Sequence, residues 1–331
     1  METTRVPGLD QEVSRIGLGT WAIGGWMWGG TDEQESIRTI HAALDRGINL
    51  IDTAPVYGFG RSEEIVGRAL AQTAAADVVI STKAGLAWDD AGQKVWRDSR
   101  PERIQREVED SLRRLGVETI DIYHVHWPDG LVPFEKTAAT LAELRQQGKI
   151  RALAVSNYDP RQMEAFRREA PLHVCQPPYN LFERGIEHDV LPYCRESGVA
   201  TLTYGALCRG LLSGRMHPER QFEGDDLRRV DPKFQQPRFG QYLAAVDALD
   251  ALAQQHGKRV IDLALRWLLD RGASVALWGA RRPDQLAPVS EVADWSLGAE
   301  DMQRIDAVLE REVPDPVGPE FMAPPHRDQV D

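Results

Sequence analysis

Short apolar runs alternate with longer amphipathic segments along almost the whole chain. The runs predict strands at 15–19, 48–52, 77–83, 119–126, 150–156, 173–176, 200–206 and 274–279. Apolar residues at helical spacing, as in Ile104, Val108, Leu112 and Leu115, are typical of the predicted helices at 31–46, 62–72, 102–115, 134–147, 160–168, 187–197, 238–256, 260–271, 283–293 and 299–311. Thr31 is the expected N-cap of the first helix, because Gln34 three residues later completes a capping box.

Repeated strand–helix units predict parallel strands. Eight of them predict an α/β fold, a (β/α)8 TIM barrel with loop insertions at its carboxyl-terminal face. The 331 residues, of which 42% are hydrophobic, suffice for one such domain over 1–331. An irregular insertion is expected at 208–237. The Pro-rich tail, 313–331, is expected to pack extended over the barrel surface.

The formal net charge of −12 argues against nucleic acid as a partner, since binding phosphate chains needs a basic surface. The 3 cysteines are widely spaced, form no metal-binding pattern and favour a reducing compartment. The amino-terminal residues lack the apolar run of a signal peptide, and no run reaches the length of a membrane span. We therefore expect a cytoplasmic protein with no membrane partner.

Four residues at the ends of three consecutive predicted strands stand out: Asp52, Tyr57, Lys83 and His126. The carboxyl ends of barrel strands meet at one face, which is where this fold places its active site. A Lys ammonium favours the phenolate and would lower the pKa of a nearby Tyr, while the Asp holds the Lys. Together with a His that shares proton transfer, this set suits proton donation to a carbonyl.

Two other interpretations of this region remain open. Residues 17–22 match Gly-x-Gly-x-x-Ala after a strand, the pattern of a dinucleotide-binding turn, but the helix begins too late and 21–30 is better interpreted as an aromatic substrate loop. His124 and His126 face the same side of their strand and could bind a metal. No other strand ends in His, so we expect no metal, and we expect His124 in the core or behind the site.

Residues at later strand ends offer a place for a planar group and for phosphates. Ser156, Asn157 and Gln176 have the donors and acceptors that hold a carboxamide, and Tyr204 offers a flat face for stacking. The small-residue loop 204–215 and the segment 279–285 follow the seventh and eighth strands, where barrels bind phosphate. Arg281 and Arg282 would suit a ribose 2′-phosphate.

Six motifs, taken together and in order, resemble those of the aldo-keto reductase superfamily, over nearly the whole chain. They are Asp-Thr-Ala-Pro-Val-Tyr-Gly, Thr-Lys-Ala-Gly, Asp-Ile-Tyr-His-Val-His-Trp-Pro-Asp, Ala-Val-Ser-Asn-Tyr, Gln-Pro-Pro-Tyr-Asn and Gly-Leu-Leu-Ser-Gly. The tail from Asp315 is similar to that of a bacterial branch containing general stress protein 69 and a glycerol dehydrogenase/glyceraldehyde reductase.

The resemblance implies an NADPH-dependent reductase of small aldehydes and ketones, with NADH possible but weaker. It implies that Tyr57 is the general acid, that Lys83 lowers its pKa, that Asp52 pairs with Lys83 and that His126 orients the carbonyl. Cofactor contacts are expected from Thr20, Trp21, Asp52, Ser156, Asn157, Gln176, Tyr204, Gly205, Ala206, Leu207, Arg209, Gly210, Arg215, Arg228, Gly279, Ala280, Arg281 and Gln285. Trp21 and Trp127 are the expected walls of the substrate pocket.

Two departures from the family pattern bear on the cofactor. Val289 stands where many relatives have Asn, and Gly205-Ala206 replaces the usual Ser-Pro after Tyr204.

The expected substrates are small carbonyl compounds such as glyceraldehyde or methylglyoxal, and we expect a monomer or a weak homo-oligomer. The alternative function is a cofactor-sensing module with slow turnover, similar to channel β subunits of the same fold.

Overall fold

A computed structural model of the chain describes residues 1–73 and 77–330. Residues 74–76 and Asp331, which the predicted domain and tail include, lie outside the described residues. The strands are β1 (Thr3–Arg5), β2 (Glu12–Ser14), β3 (Ile16–Gly19), β4 (Leu50–Asp52), β5 (Val79–Ala84), β6 (Leu86–Trp88), β7 (Val95–Arg97), β8 (Ile120–Val125), β9 (Ile150–Ser156), β10 (Val174–Gln176), β11 (Ala200–Thr203) and β12 (Val275–Gly279).

Within the described residues, eight parallel strands close a barrel in chain order, from β3, β4, β5 and β8 to β9, β10, β11 and β12, which pairs again with β3. The prediction of a (β/α)8 TIM barrel is confirmed. The other strands form two antiparallel hairpins, β1–β2 and β6–β7. Val6 and Val13 of the first hairpin pack against the interior residues Leu50 and Val79, at the end where the strands begin. The opposite end is therefore free for a site.

Most of the helices cover the outside of the barrel, whereas the short first helix lies at its mouth. They are α1 (Trp21–Gly24), α2 (Glu33–Leu44), α3 (Arg61–Ala71), α4 (Pro101–Leu115), α5 (Phe134–Gln146), α6 (Pro160–Arg167), α7 (Val190–Ser197), α8 (Arg238–Gln255), α9 (Val260–Asp270) and α10 (Ala299–Glu312). The core lies between them and the strands. In α4, for example, Ile104, Val108 and Leu115 are buried at the predicted spacing.

Several predicted boundaries are wrong in detail. The N-cap of α2 is one residue later than predicted: it is Asp32, whose carboxylate accepts a hydrogen bond from the backbone of Glu35 at 2.9 Å, so the helix begins at Glu33. The Thr31 hydroxyl instead contacts Ser36. The predicted helix 187–197 is divided into a 3-10 turn, Gly185–Glu187, and α7. The segment Pro283–Val292 is a 3-10 helix with Pro288 inside it, since proline cannot donate the hydrogen bond that an α-helix needs.

The insertion after β11 and the tail lie at the end of the barrel where the strands finish. Short 3-10 turns at Cys208–Ser213, Leu227–Arg229 and Pro232–Phe234 give the insertion its shape. The tail contains two more turns, Glu320–Met322 and Arg327–Gln329, and bridges to the β6–β7 hairpin where Arg97 pairs with His326. The tail is thus a tethered segment with local turns, where a fully extended one was predicted.

Candidate active site

Asp52 and Lys83 form a buried ion pair between adjacent strands. Asp52 ends β4 and Lys83 is the penultimate residue of β5, so parallel pairing brings both side chains to the mouth of the barrel. The Lys83 Nζ donates to the Asp52 Oδ2 at 2.8 Å and to the Thr53 carbonyl at 2.8 Å. Neither residue is more than 3% exposed. Burial without such partners would be costly, so the pair keeps an ammonium in the site.

Tyr57 and His126 complete the set that the sequence singled out. Tyr57 follows β4 in a turn in which its backbone N–H donates to the Ala54 carbonyl. Its ring lies 5.1 Å from the Lys83 Nζ and 5.8 Å, nearly perpendicular, from the His126 ring. The structure therefore brings Asp52, Tyr57, Lys83 and His126, here called the tetrad, together at one face of the barrel.

Burial, rather than the charge of Lys83, dominates the pKa of Tyr57 in this structure. Burial raises the pKa of the Tyr57 phenol well above its ordinary value, and the negative charge of Asp52 raises it further. Burial also lowers the pKa of Lys83, although Asp52 opposes the shift, and it lowers that of His126, which Lys83 lowers further. At neutral pH, Tyr57 holds its proton and His126 is neutral. This geometry suits an acid rather than a phenolate.

A chain of hydrogen bonds joins the predicted carboxamide-binding residues. The Tyr204 hydroxyl donates to the Asn157 Oδ1 at 2.8 Å, and the Asn157 Nδ2 donates to the His126 carbonyl at 3.0 Å. Asn157 holds a left-handed backbone conformation, with φ of +62°. The Ser156 hydroxyl donates to the Gln176 carbonyl at 2.8 Å. These residues are therefore fixed relative to each other before any ligand binds.

Gln176 also contacts the ion pair. Its Nε2 donates to the Asp52 Oδ1 at 2.8 Å, and the Ser81 hydroxyl donates to the same oxygen at 2.8 Å. Ser81 also lies 3.0 Å from the His124 Nε2, and burial lowers the pKa of His124 to about 3. His124 is therefore a neutral residue behind the site, as expected. Sequence reasoning missed Ser81, although it lies two residues before Lys83 and so on the same face of β5.

A cleft of about 980 Å³ extends from the tetrad to the arginines of the later loops. Its lining includes most of the predicted cofactor contacts, namely Thr20, Trp21, Asp52, Tyr204, Gly205, Ala206, Leu207, Arg209, Gly210, Arg215, Arg228, Gly279, Ala280, Arg281 and Gln285. The indole N–H groups of Trp21 and Trp28, which also line it, are buried and have no hydrogen-bond partner among the described residues. The cleft thus offers unused donors, cationic groups and room for a dinucleotide.

The arginines of the cleft are partly occupied by the protein itself. The Arg281 guanidinium donates to the carbonyls of Trp28, at 2.9 Å, and Gly30, at 2.5 Å. Arg228 pairs with Asp226 at 2.6 Å. Asp284 lies 3.1 Å from Arg282 and 3.6 Å from Arg215. A phosphate here would therefore exchange with existing partners of these side chains.

Arg209 is held more completely. Its guanidinium contacts Glu183 and lies 2.5 Å from Asp231, and all three residues are at most 7% exposed. Arg209 still lines the cleft, but its side chain faces two carboxylates. A phosphate would meet the backbone of Arg209 rather than its guanidinium.

Aromatic rings surround Tyr57 on the substrate side. The Trp21 ring stacks on that of Tyr57 at 5.9 Å and meets that of Trp28 edge-on. Trp127 packs in a cluster with Trp26, Tyr57, Phe59 and Trp88, and its ring lies 5.2 Å from the Arg97 guanidinium carbon. Both predicted pocket residues, Trp21 and Trp127, thus lie beside catalytic candidates.

In the described part of the chain, no group of three or more His, Cys, Asp or Glu side chains is arranged to hold a metal ion. Among the same residues, no helix is both long and apolar enough to span a membrane.

The Aldo/keto reductase family model matches residues 15–310. The chain is 57% identical to Aldo-keto reductase YhdN of Bacillus subtilis over 333 aligned positions, covering all of both chains. It is 36% identical to the NADH-specific methylglyoxal reductase of Escherichia coli, covering 92% of this chain and 95% of that one.

Two solved structures have the same fold. The glycerol dehydrogenase AKR11B4 from Gluconobacter oxydans is 57% identical, with a TM-score of 0.89, over 97% of this chain and 99% of that one. An aldo/keto reductase from Klebsiella pneumoniae, solved in complex with NADP and acetate, is 28% identical, with a TM-score of 0.71, over 92% and 94% of the two chains.

Proposed function

This chain belongs to the aldo/keto reductase family, and we propose that it reduces small aldehydes or ketones to alcohols, reversibly, with NADPH as its preferred cofactor. The observation that carries the proposal is the partly buried Tyr57 beside Lys83 and His126, at one end of a cleft with room for a dinucleotide. Relatives named as a glycerol dehydrogenase and a methylglyoxal reductase support short polar carbonyl compounds as the substrate class.

The protein residues would divide the work as follows. The neutral His126 and the Tyr57 hydroxyl hold the substrate oxygen, and Tyr57 donates its proton to the alkoxide that develops there. The ammonium of Lys83 stabilises the phenolate that remains. Asp52 keeps Lys83 protonated and in place through the 2.8 Å contact. The cofactor supplies the hydride when bound.

The cofactor would lie along the cleft. Asn157, Ser156 and Gln176 would hold its carboxamide, and the ring of Tyr204 would stack on the nicotinamide. One N–H of the Gln176 amide is committed to Asp52, which leaves the other N–H to donate and Oε1 to accept a hydrogen bond. The backbone of residues 205–210 and the arginines would contact the phosphates.

The tetrad is tested by Tyr57→Phe, which removes the transferable proton and keeps the ring that stacks on Trp21. We expect kcat for glyceraldehyde or methylglyoxal reduction to fall by about 10³-fold or more, because general acid catalysis is lost. NADPH binding, measured by calorimetry, should change little. Turnover of the variant near that of the wild type would contradict the mechanism. A wild-type protein that binds NADPH without reducing any short carbonyl compound would indicate a sensing module instead.

The cofactor preference is tested by Arg281→Ala. Because a charged hydrogen bond to a 2′-phosphate would be lost, we expect the Kd for NADPH to rise about tenfold or more. The Kd for NADH should rise far less, by the cost of loosening Trp28 and Gly30 alone. Equal losses of affinity for NADPH and NADH would mean that Arg281 only holds the loop that contains Trp28 and Gly30. NADH, the cofactor named for the Escherichia coli relative, would then be the better candidate.

A further inference from the structure

The strongest unexplained feature outside the tetrad is a second buried charge network, formed by Glu183, Arg209, Asp231 and Lys233. The Lys233 Nζ lies 2.8 Å from the Glu183 Oε1 and 3.8 Å from the Asp231 Oδ1, and Arg209 contacts the same two carboxylates. Lys233 and Asp231 are 0% exposed. Two cations and two anions thus neutralise each other beneath the cleft.

The carboxyl-terminal tail covers this network with an aromatic ring. The Phe321 ring centroid lies 5.6 Å from the Arg209 guanidinium carbon and 5.9 Å from the Lys233 Nζ. Lys233 also donates to the Gly318 carbonyl at 3.0 Å, and the Arg209 Nη1 lies 3.9 Å from the Met322 sulfur. The face of an aromatic ring attracts cations, most strongly where water is excluded. Phe321 therefore meets both cations of the network at once.

The same network shapes the loop that lines the cleft. Cys208 and Arg209 have φ of +46° and +54°, in the left-handed region that side chains rarely adopt. Such a conformation persists only where its surroundings hold it. The buried guanidinium supplies this restraint on Arg209. On the other side, the Asn180 Nδ2 joins the Glu183 Oε2, at 2.7 Å, to the Gly205 carbonyl, at 3.0 Å.

We propose that Phe321 is a positioning residue for the cofactor: its ring caps the Glu183–Arg209–Asp231–Lys233 network and thereby fixes the cleft loop 205–210 in the conformation that binds NADPH. Without the ring, water reaches the two cations, the network loosens, and the loop must be ordered again each time cofactor binds. The inference rests on the proposed function, because it assigns the 205–210 loop to the cofactor. It predicts that the aromatic face, rather than apolar volume alone, is required.

The decisive experiment compares Phe321→Leu with Phe321→Tyr by calorimetric titration of the full-length protein with NADPH. Phe321→Leu keeps an apolar side chain without a π face, and we expect it to raise the Kd roughly tenfold. Phe321→Tyr keeps the face and should remain within about twofold of the wild type. Hydrogen exchange of residues 205–210, measured without cofactor, should be faster in Phe321→Leu only. Turnover at saturating NADPH should be unchanged, so the effect appears in the cofactor KM and not in kcat.

A second variant separates this role from general docking of the tail. Arg327 holds the distal end of the tail through Asp129, at 2.8 Å, without touching the network. Arg327→Gln should leave the Kd for NADPH unchanged. The inference is overturned if Phe321→Leu and Phe321→Tyr bind alike, if Arg327→Gln weakens binding as much as Phe321→Leu, or if the loop exchanges at the wild-type rate in Phe321→Leu. A wild-type protein that binds no nicotinamide cofactor would refute the proposed function. Hydrogen exchange of residues 205–210, measured without cofactor, would still test whether the Phe321 ring holds the loop.

Discussion

Two buried charge networks lie on the proposed catalytic side of this barrel, and they differ in how completely their cations are matched by carboxylates. Lys83 has one carboxylate partner, Asp52, and burial still lowers the pKa of Lys83. Arg209 and Lys233 share two carboxylates; burial would raise the pKa of Glu183, but these cations outweigh it and hold that pKa below its usual value. A cation with a single partner can respond to a proton moving nearby, whereas a fully matched set holds its charges fixed.

Each network also presents its cations to an aromatic ring. Lys83 lies against the ring of Tyr57, whose hydroxyl can transfer a proton. Lys233 lies against the ring of Phe321, which has no hydroxyl and so no proton to transfer. The supporting scaffold differs too. Asp52 and Lys83 lie on neighbouring strands of the barrel, while Arg209, Asp231 and Lys233 come from the insertion after β11. The pair proposed for proton transfer thus lies on the strands of the barrel, whereas the second network lies in an irregular insertion and restrains its conformation.

The sharpest way to break this comparison is to make the same substitution in both networks. Lys83→Met should lower kcat by about 10²- to 10³-fold, because it removes the charge that stabilises the phenolate. Lys233→Met should leave kcat at saturating cofactor within about threefold of the wild type but lower the free energy of unfolding by about 3 kcal/mol, since it unbalances a buried network. Steady-state kinetics and urea unfolding measure the two effects. A large loss of kcat in Lys233→Met would erase the distinction.

Another buried carboxylate, outside both networks, tests what happens when a buried charge is poorly matched. Burial raises the pKa of Glu107 to about 7, although Arg103 and the Gly85 N–H oppose the shift. The folded protein then binds a proton more tightly than the unfolded chain, so this contribution to stability is present below about pH 4.5 and is lost as the pH rises through about 7. The loss is about 3 kcal/mol at most.

Glu107→Gln removes this titration while keeping the shape of the side chain. Its free energy of unfolding should therefore change less than that of the wild type between pH 5 and 8 (about 3 kcal/mol less at most). The exposed Glu143→Gln serves as the matched control and should follow the wild type. Parallel curves for all three proteins would show that Glu107 is ionised throughout.

The smallest expected effect is an absence of pH dependence in catalysis. Since the pKa of Tyr57 is raised, the phenol stays protonated across the neutral range, and kcat/KM for carbonyl reduction should be nearly constant from about pH 6.5 to 9. A fall in rate with rising pH through that range, absent from the cofactor Kd, would show that the charge of Lys83 outweighs burial and brings the pKa of Tyr57 down into that range.

The sequence allowed the tetrad to be predicted because strand periodicity and barrel closure place strand ends at one face, whatever lies between them. Asp52 and Lys83 follow from this rule alone. The pKa of Tyr57 does not, because its direction depends on the balance between burial and charges at particular distances. Ser81 was within reach of the same periodicity, since it precedes Lys83 by two residues.

The loops could not be predicted in the same way. Arg209 was expected among the cofactor contacts, yet its guanidinium faces Glu183 and Asp231, which lie 26 and 22 residues away in the chain. Arg281 likewise donates to carbonyls of the 21–30 loop, about 250 residues earlier. Such partners are set by tertiary packing of irregular segments, and no local pattern of residues encodes them. The sequence therefore predicted that these arginines line the cleft, but not the protein groups with which they pair.

The path of the tail has a consequence for the order in which parts of this fold can form during synthesis. The Pro325 carbonyl accepts a hydrogen bond from the backbone of Arg97, and Arg327 pairs with Asp129, so the tail is held against the β6–β7 hairpin and the segment after β8. A ribosome makes these residues after all eight strands. The strands of the barrel can therefore pair on the growing chain before the tail is available, and the contacts of the tail with Arg97 and Asp129 form on a barrel that already exists.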